Sequence, residues 1–334
     1  MHSSSRDIYC NSIGRRNGLK LLAGSVALGA SNAWAAYPEK PIKLIVPSAA
    51  GGSPDIICRL LAGELAKSLG QAVVVDNKAG AGGAIGIQEI ARAAPDGYTI
   101  GYGNVVTLAI NQSLYSKLIY DADAQLVGLA QMGDVQNALI IGPNVAAKNV
   151  AELIALAKAK PGRLSMGSAG SGTTGHLGGE LFKSMTNTFV THVPYRGSAQ
   201  AIGDLISGQI DFMFDNVPSA LSHIRAGRVK ALAVSGKSRS PQLPEVPTVA
   251  ESGVKGYETT AWGGIIGPAG LSRDLITKLN AEINKVLLLP AVRERYAQLG
   301  LEVNTGGPDL LMERARKERP QWAAVVKRSG AKVE

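Results

Sequence analysis

The chain has 334 residues, 45% of them hydrophobic and 18% charged, with a formal net charge of +9. At about 100–200 residues per domain this length gives a prior of two domains, and the composition excludes wholesale disorder. Two cysteines exclude a disulfide framework, while abundant glycine (40 residues) and few aromatics (5%) suit tight turns and sites lined by backbone.

The elements follow in chain order. Arg15, Arg16 and Lys20 precede an apolar stretch from Leu19 to Ala30, and Ala33-Trp34-Ala35 fits the small-x-small cleavage rule. Residues 1–35 therefore read as an export signal, too short for a comfortable membrane span. The Arg pair also resembles a twin-arginine signal, although Gly18 stands where a bulky apolar residue is usual, so Sec and twin-arginine export both stay open. Cleavage after Ala35 removes Cys10 and leaves Cys58 as the sole cysteine, on an apolar helical run where core packing is the simpler reading. A periplasmic location follows.

Ile42–Val46 reads as a strand, and Pro54–Leu69 as a helix with Ile56, Ile57, Leu60, Leu61, Leu65 and Leu69 at helical spacing. A strand at Ala72–Val75, a helix at Gly83–Ala94 closed by Pro95-Asp96-Gly97 and a strand at Tyr98–Tyr102 come next. Further on, helices at Val150–Lys160, Thr174–Met185 and Ala199–Ser207 alternate with strands at Leu164–Ser168, Phe189–Val193 and Asp211–Phe214. Such alternation implies parallel strands joined by crossover helices. Leu126–Pro143 and Thr259–Pro268 are apolar and extended, and read as two segments crossing between lobes, a paired hinge. Ser272 caps a helix running to Leu288, Pro290 ends it or starts the next, and Pro308 opens the last long helix. On that helix Arg314, Arg316, Lys317 and Arg319 are interrupted by Glu313 and Glu318, which reads as a solvated face rather than a nucleic-acid patch.

Two strand-to-helix joints share their punctuation: Gly51-Gly52-Ser53-Pro54-Asp55, and Ser168-Ala169-Gly170-Ser171-Gly172-Thr173-Thr174-Gly175. A helix start leaves backbone N–H groups unpaired and carries partial positive charge, so such a joint binds an anion without a cationic side chain. Gly51, Gly52 and Ser53, then Ser168, Ala169, Gly170 and Ser171, let a ligand reach the backbone. Ser53 has a second reading as the helix cap, with Pro54 at the first helical position. Asp55 reads as compensation of the helix dipole and bracing of the loop. Gly170-x-Gly172-x-x-Gly175 matches a dinucleotide fingerprint, but the following strand, Phe189–Val193, lacks the acid that holds the ribose, so no cofactor is expected. His176, His192 and His223 have no zinc spacing, and no metal is expected. His176 stands beside the second joint, facing either a ligand or the turn itself.

The chain resembles the Bug family, the periplasmic substrate-binding proteins of tripartite tricarboxylate transporters. The resemblance rests on Tyr37-Pro38-x-x-Pro41-Ile42, Pro47-x-x-x-Gly51-Gly52-x-x-Asp55-x-x-x-Arg59, Asn77-Lys78-x-Gly80-Ala81-Gly82-Gly83-x-Ile85-Gly86 and Ala94-Pro95-Asp96-Gly97-Tyr98-Thr99. It continues through Gly170-Ser171-Gly172-Thr173-x-x-His176, Val193-Pro194-Tyr195-Arg196-Gly197-Ser198-Ala199, Gly208-Gln209-Ile210-Asp211 and Pro244-Glu245-Val246-Pro247-Thr248. It implies an α/β fold of the two-lobed type II periplasmic-binding-protein (Venus flytrap) kind. Each lobe would be a mixed, mostly parallel sheet flanked by helices, with two crossing strands as the hinge. The expected boundaries are 36–138 plus 259–334 for lobe one and 139–258 for lobe two.

The resemblance also implies capture of a small carboxylate between the lobes and delivery to membrane permease subunits, by a monomer. Dicarboxylate, tricarboxylate, acidic amino acid and aromatic acid all fit. Matching positions place contacts at Ala49, Gly51 and Gly52 in lobe one, where Ser53 and Thr107 are further candidates. In lobe two they fall at Ser168, Ala169, Ser171, Thr173, Tyr195, Gly197, Ser198 and Ala199, with Asp215 near the cleft as partner of a ligand amine, of ordered water, or of the fold itself. Ser48, Leu108, Gln112, Gln200 and Gln125-Leu126-Val127-Gly128 depart from the family pattern, and the first two bear on pocket size. A periplasmic sensor subunit using the same pocket is a second reading, and an enzyme acting on carboxylic acids, with Asp215 and His176 as the available groups, a third.

Overall fold

The computed structural model describes residues 37–331, so the export signal read at 1–35 lies outside the described residues. From Lys40 the chain is one unit by its contacts. It runs β1 (Ile42–Val46), α1 (Ser53–Leu69), β2 (Val73–Asn77), a 3-10 turn (Ala81–Gly83), α2 (Ala84–Ala91), β3 (Thr99–Asn104), a π-helical turn (Val106–Ile110), α3 (Asn111–Leu114), α4 (Ala122–Gln125) and β4 (Leu126–Ile141). Then come α5 (Val150–Ala159), β5 (Ser165–Ser168), α6 (Thr174–Thr186), β6 (Thr191–Pro194), α7 (Ser198–Ser207), β7 (Phe212–Asn216), α8 (Val217–Arg225) and β8 (Lys230–Val234). The chain ends through β9 (Thr260–Pro268), α9 (Arg273–Leu288), α10 (Pro290–Leu299), β10 (Leu301–Val303) and α11 (Leu310–Ser329).

The strand order is β2-β1-β3-β9-β4-β7-β5-β6, with β10 and β8 also on β4. β1 is parallel to β2 and β3, and β5 is parallel to β6 and β7. Between these two parallel sets runs β4, whose first part pairs antiparallel with β9 from Leu126 opposite Pro268 to Gln136 opposite Thr260. Its last five residues pair antiparallel with β7, from Asn137 opposite Asn216 to Ile141 opposite Phe212. The two extended segments read from the sequence are thus paired with each other, and β4 serves both sets.

Alternation along β4 builds two cores. Leu139 and Ile141 pack with Phe182, Phe214 and Tyr257 on one face, while Ala138 and Ile140 pack with Ile202, Leu205 and Met213 on the other. Burial on both faces explains why the segment reads as a nearly continuous apolar run. A third core gathers Ile87, Ile90, Leu108 and Trp262 under α11.

Several expectations shift. The helix read at Gly83–Ala94 is the 3-10 turn followed by α2, which stops at Ala91. The last helix starts at Leu310 rather than beside Pro308. Ser272 does cap α9, its side chain accepting the Leu275 N–H, and Pro290 starts α10. The basic face of α11 is not simply solvated: Arg316 and Arg319 both engage Asp123, and Arg314 bridges Asp134 and Glu318. The fold brings Asp123 of α4 and Asp134 of β4 within reach, which local charge counting does not capture. Among the described residues no helix is long and apolar enough to cross a membrane.

Candidate functional site

A cavity of about 660 Å³ opens where both parallel sets end. Five helices begin at its wall, and the N-cap residue of each lines it: Gly52 of α1, Gly83 of α2, Thr173 of α6, Gly197 of α7 and Asn216 of α8. These helices follow β1, β2, β5, β6 and β7, so the cavity lies outside the carboxyl ends of parallel strands, where open α/β sheets bind ligands. The N–H groups of Ser53, Thr174, Gly175 and Ser198 line it and have no acceptor among the described residues. Arg196 and Asp215 are the charged residues in its lining, and no lysine is among them. Its base is formed by Val135, Ala261 and Trp262 of the crossing strands β4 and β9.

The joints from the two sets face each other. A Cβ placed on Gly197, whose φ is +156°, would lie 2.9 Å from the Cβ of Ala49, and one on Gly51 would lie 3.7 Å from that of Ala199. Only a residue without a side chain lets the Gly197 turn come this close to the β1–α1 loop.

Of the residues singled out from the sequence, Ala49, Gly52, Ser53, Thr107, Ala169, Ser171, Thr173, Tyr195, Gly197, Ser198 and Asp215 line the cavity. Gly51, Ser168 and Ala199 do not. The Gly51 N–H already donates to Asp55 Oδ2 at 2.9 Å, and Asp55 also accepts from Arg59 at 2.8 Å. Burial alone would raise the Asp55 carboxyl, but hydrogen bonds from Arg59, the Gly51 N–H and Asn77 together hold it below the ordinary value. This is the bracing role read for Asp55. The capping alternative for Ser53 is not realised: Gly52 is the N-cap, no side chain caps α1, and Ser53 and Pro54 open the helix. Thr107 spends its hydroxyl locally, accepting from the Asn104 N–H and donating to Asn104 carbonyl oxygen. The Tyr195 hydroxyl donates to Asp204 Oδ2 at 2.8 Å.

Ser168 is wholly buried behind the second joint, its Oγ 2.7 Å from His192 Nε2 and accepting the Gly170 N–H. His192 stacks on His176 with ring centroids 3.9 Å apart. His176 Nδ1 accepts the Gly172 N–H at 3.0 Å, so His176 serves the turn rather than the cavity. Burial, then the neighbouring positive charges, pushes the two imidazoles down to about 3 for His176 and about 4 for His192. Both are neutral at pH 7. Cys58 is buried, and burial pushes its thiol well above the ordinary range.

Asp215, 4% exposed, accepts the Ser198 hydroxyl on Oδ1 at 2.7 Å, while its buried Oδ2 has no partner. Burial pushes its carboxyl up to about 6, against the pull of the Ser198 hydroxyl and of the neighbouring Ser219 hydroxyl and Asn216 N–H. Asn137, fully buried, accepts from Asn216 Nδ2 at 2.7 Å, and its own Nδ2 is unpartnered. Among the described residues no group of three acids, histidines or cysteines is placed to hold a metal ion.

Sequence reasoning missed the third joint, Gly80-Ala81-Gly82-Gly83, which lines the cavity ahead of α2. The same Gly-rich punctuation after a strand marks it. It also missed Arg196, although its neighbours Tyr195 and Gly197 were singled out, and Asn137 and Trp262, whose placement depends on long-range strand pairing.

Residues 57–331 match the family described as the tripartite tricarboxylate transporter family receptor. BugT of Bordetella pertussis is 38% identical over 298 residues, covering 89% of this chain and 91% of BugT. The structure of R. palustris Rpa4515 with adipate superposes with a TM-score of 0.87 at 34% identity, covering 89% of this chain and all of that one. MatC from Rhodopseudomonas palustris with bound malate gives a TM-score of 0.82 at 31% identity, covering 87% of this chain and 100% of that one. The Gly-rich joints and paired crossing strands therefore sit in a known two-lobed periplasmic-binding-protein frame, and the chain belongs to the tripartite tricarboxylate transporter receptor family, that of the Bug proteins.

Proposed function

We propose that the protein is an exported, periplasmic solute-binding protein that captures a small carboxylate between two lobes and delivers it to membrane permease subunits. The observation that carries this reading is the ring of five helix starts, from both parallel sets, around one cavity with no lysine in its lining. Each charge-assisted hydrogen bond from a free helix-start N–H contributes about 1.5–3 kcal/mol before ordering costs. A few of them reach roughly −8 kcal/mol, or micromolar affinity. Adipate and malate in the related structures are carboxylates of a size that suits this cavity.

Residues 36–138 with 259–334 form lobe one in this reading, and 139–258 form lobe two, closing about β4 and β9. A ligand that touches both stabilises the closed form, because only there are both sets of donors engaged. The assignment is binding without catalysis: His176 Nδ1 is held by its own turn, and Asp215 Oδ1 by the Ser198 hydroxyl.

A thermal-shift screen against a carboxylic-acid library tests the proposal, since a ligand that binds only the folded form raises the unfolding midpoint. Acids of this class should raise it, and Gly197→Asp should abolish the shift. An unmoved midpoint across the library, or unchanged affinity in Gly197→Asp, contradicts the reading.

A further inference from the structure

Resting on the carboxylate reading above, we propose that the preferred ligand is a carboxylic acid bearing a hydroxyl or amino group next to a carboxyl, with Asp215 as the acceptor of that group. The cavity wall is unbalanced in an informative way. The helix-start N–H groups of Ser53, Thr174, Gly175 and Ser198 offer it donors, and so does the unpartnered Nδ2 of Asn137. Two unpartnered side-chain oxygens belong to residues of the same lining: Ser48 Oγ, a hydroxyl that can donate as well as accept, and Asp215 Oδ2, a carboxylate oxygen that can only accept, on a residue 96% withdrawn from solvent. Its companion Oδ1 is already committed to the Ser198 hydroxyl, so the carboxylate is fixed in place beside a free helix-start N–H.

A plain dicarboxylate satisfies the donors but sets its own charge beside Asp215 and leaves Oδ2 unmet in a site that closure dries. A buried polar atom without a partner is what hydrogen-bond recognition discriminates against. A hydroxyl or ammonium on the adjacent carbon supplies the missing donor while the carboxylate oxygens take the N–H groups. The ligands of the two related structures bracket this choice, malate carrying such a hydroxyl and adipate none.

Calorimetry on the mature protein decides the matter with two matched series: succinate, L-malate and L-aspartate, then glutarate, 2-hydroxyglutarate and L-glutamate. In at least one series the substituted acid should bind roughly tenfold or more tightly than its parent, and Asp215→Asn should bring that ratio close to one. Parent acids that bind as well as their substituted counterparts in both series, or a preference that survives Asp215→Asn, overturn the proposal and leave carboxylate capture standing. Failure of all six acids to bind overturns both. Should Asp215→Asn not fold, as judged by its unfolding midpoint, the wild-type ratios decide alone.

Discussion

At the residue scale, the site depends on what is missing as much as on what is present. Gly197 sits at a φ that disfavours side chains, with the Ala49 Cβ 2.9 Å from where its own Cβ would be. Gly197→Val should therefore weaken carboxylate binding by roughly tenfold or more, about 1.4 kcal/mol, when measured by calorimetry. An affinity within twofold of wild type would mean that the loops need not meet. Asp55→Ala removes the acceptor of the Gly51 N–H and the partner of Arg59. It should lower stability by about 1–3 kcal/mol in a denaturant titration. Glycines, the Ser-Pro pair and Asp55 were legible in the sequence because their roles are local. Whether Ser53 or Gly52 capped α1 was not, since that turns on one backbone dihedral. Ser168 was misjudged because a partner from β6, His192, draws its hydroxyl behind the wall.

At the element scale, the β5–α6 joint rests on the stacked pair His176 and His192. Their folded pKa values, about 3 and about 4, lie below the ordinary 6.5. The unfolded chain thus takes up protons first, and the stability these residues contribute is lost as pH falls from about 6.5 toward 4. Asp215 has the opposite sign: raised to about 6, it favours the folded state at low pH and loses that contribution as pH rises between 3.8 and about 6. His223, also lowered by burial, adds to the two stacked histidines, so with three histidines against one acid the unfolding midpoint should drop on acidification from pH 7 to 4.5. Replacing both stacked histidines by glutamine should flatten that slope, and an unchanged slope would contradict the assignment.

Strand β9 carries a second reporter. Trp262 lines the cavity while its indole N–H donates to Glu318 Oε2 at 2.6 Å, and Trp322 donates to the same oxygen at 3.2 Å. Ligand binding should change tryptophan fluorescence in wild type and in Trp322→Phe, and the change should vanish in Trp262→Phe. The strand–helix alternation was readable from periodicity. The π-helical turn after β3, β8 and β10 were not, because short elements held by β4 or by the third core have little pattern of their own.

At the scale of the whole molecule, β4 and β9 join the two parallel sets and floor the cavity between them. Apolar length alone identified both segments, since a strand buried on two faces cannot afford polar alternation. Their pairing partners came only with the fold. If the two sets close on a ligand as proposed, small-angle scattering should record a smaller radius of gyration at saturating carboxylate. An identical radius with and without ligand would argue for a preformed, rigid site.

In the proposed complex, main-chain N–H groups from both sides of the cleft hold one acidic ligand. The backbone amide spectrum of the ¹⁵N-labelled protein, titrated with the tightest-binding carboxylate, addresses this directly. Large downfield proton shifts are predicted for Ser53 on one side and for Thr174 and Ser198 on the other, saturating together at the calorimetric stoichiometry. Shifts confined to one side, or to the Arg196 side chain with those amides unmoved, would contradict it.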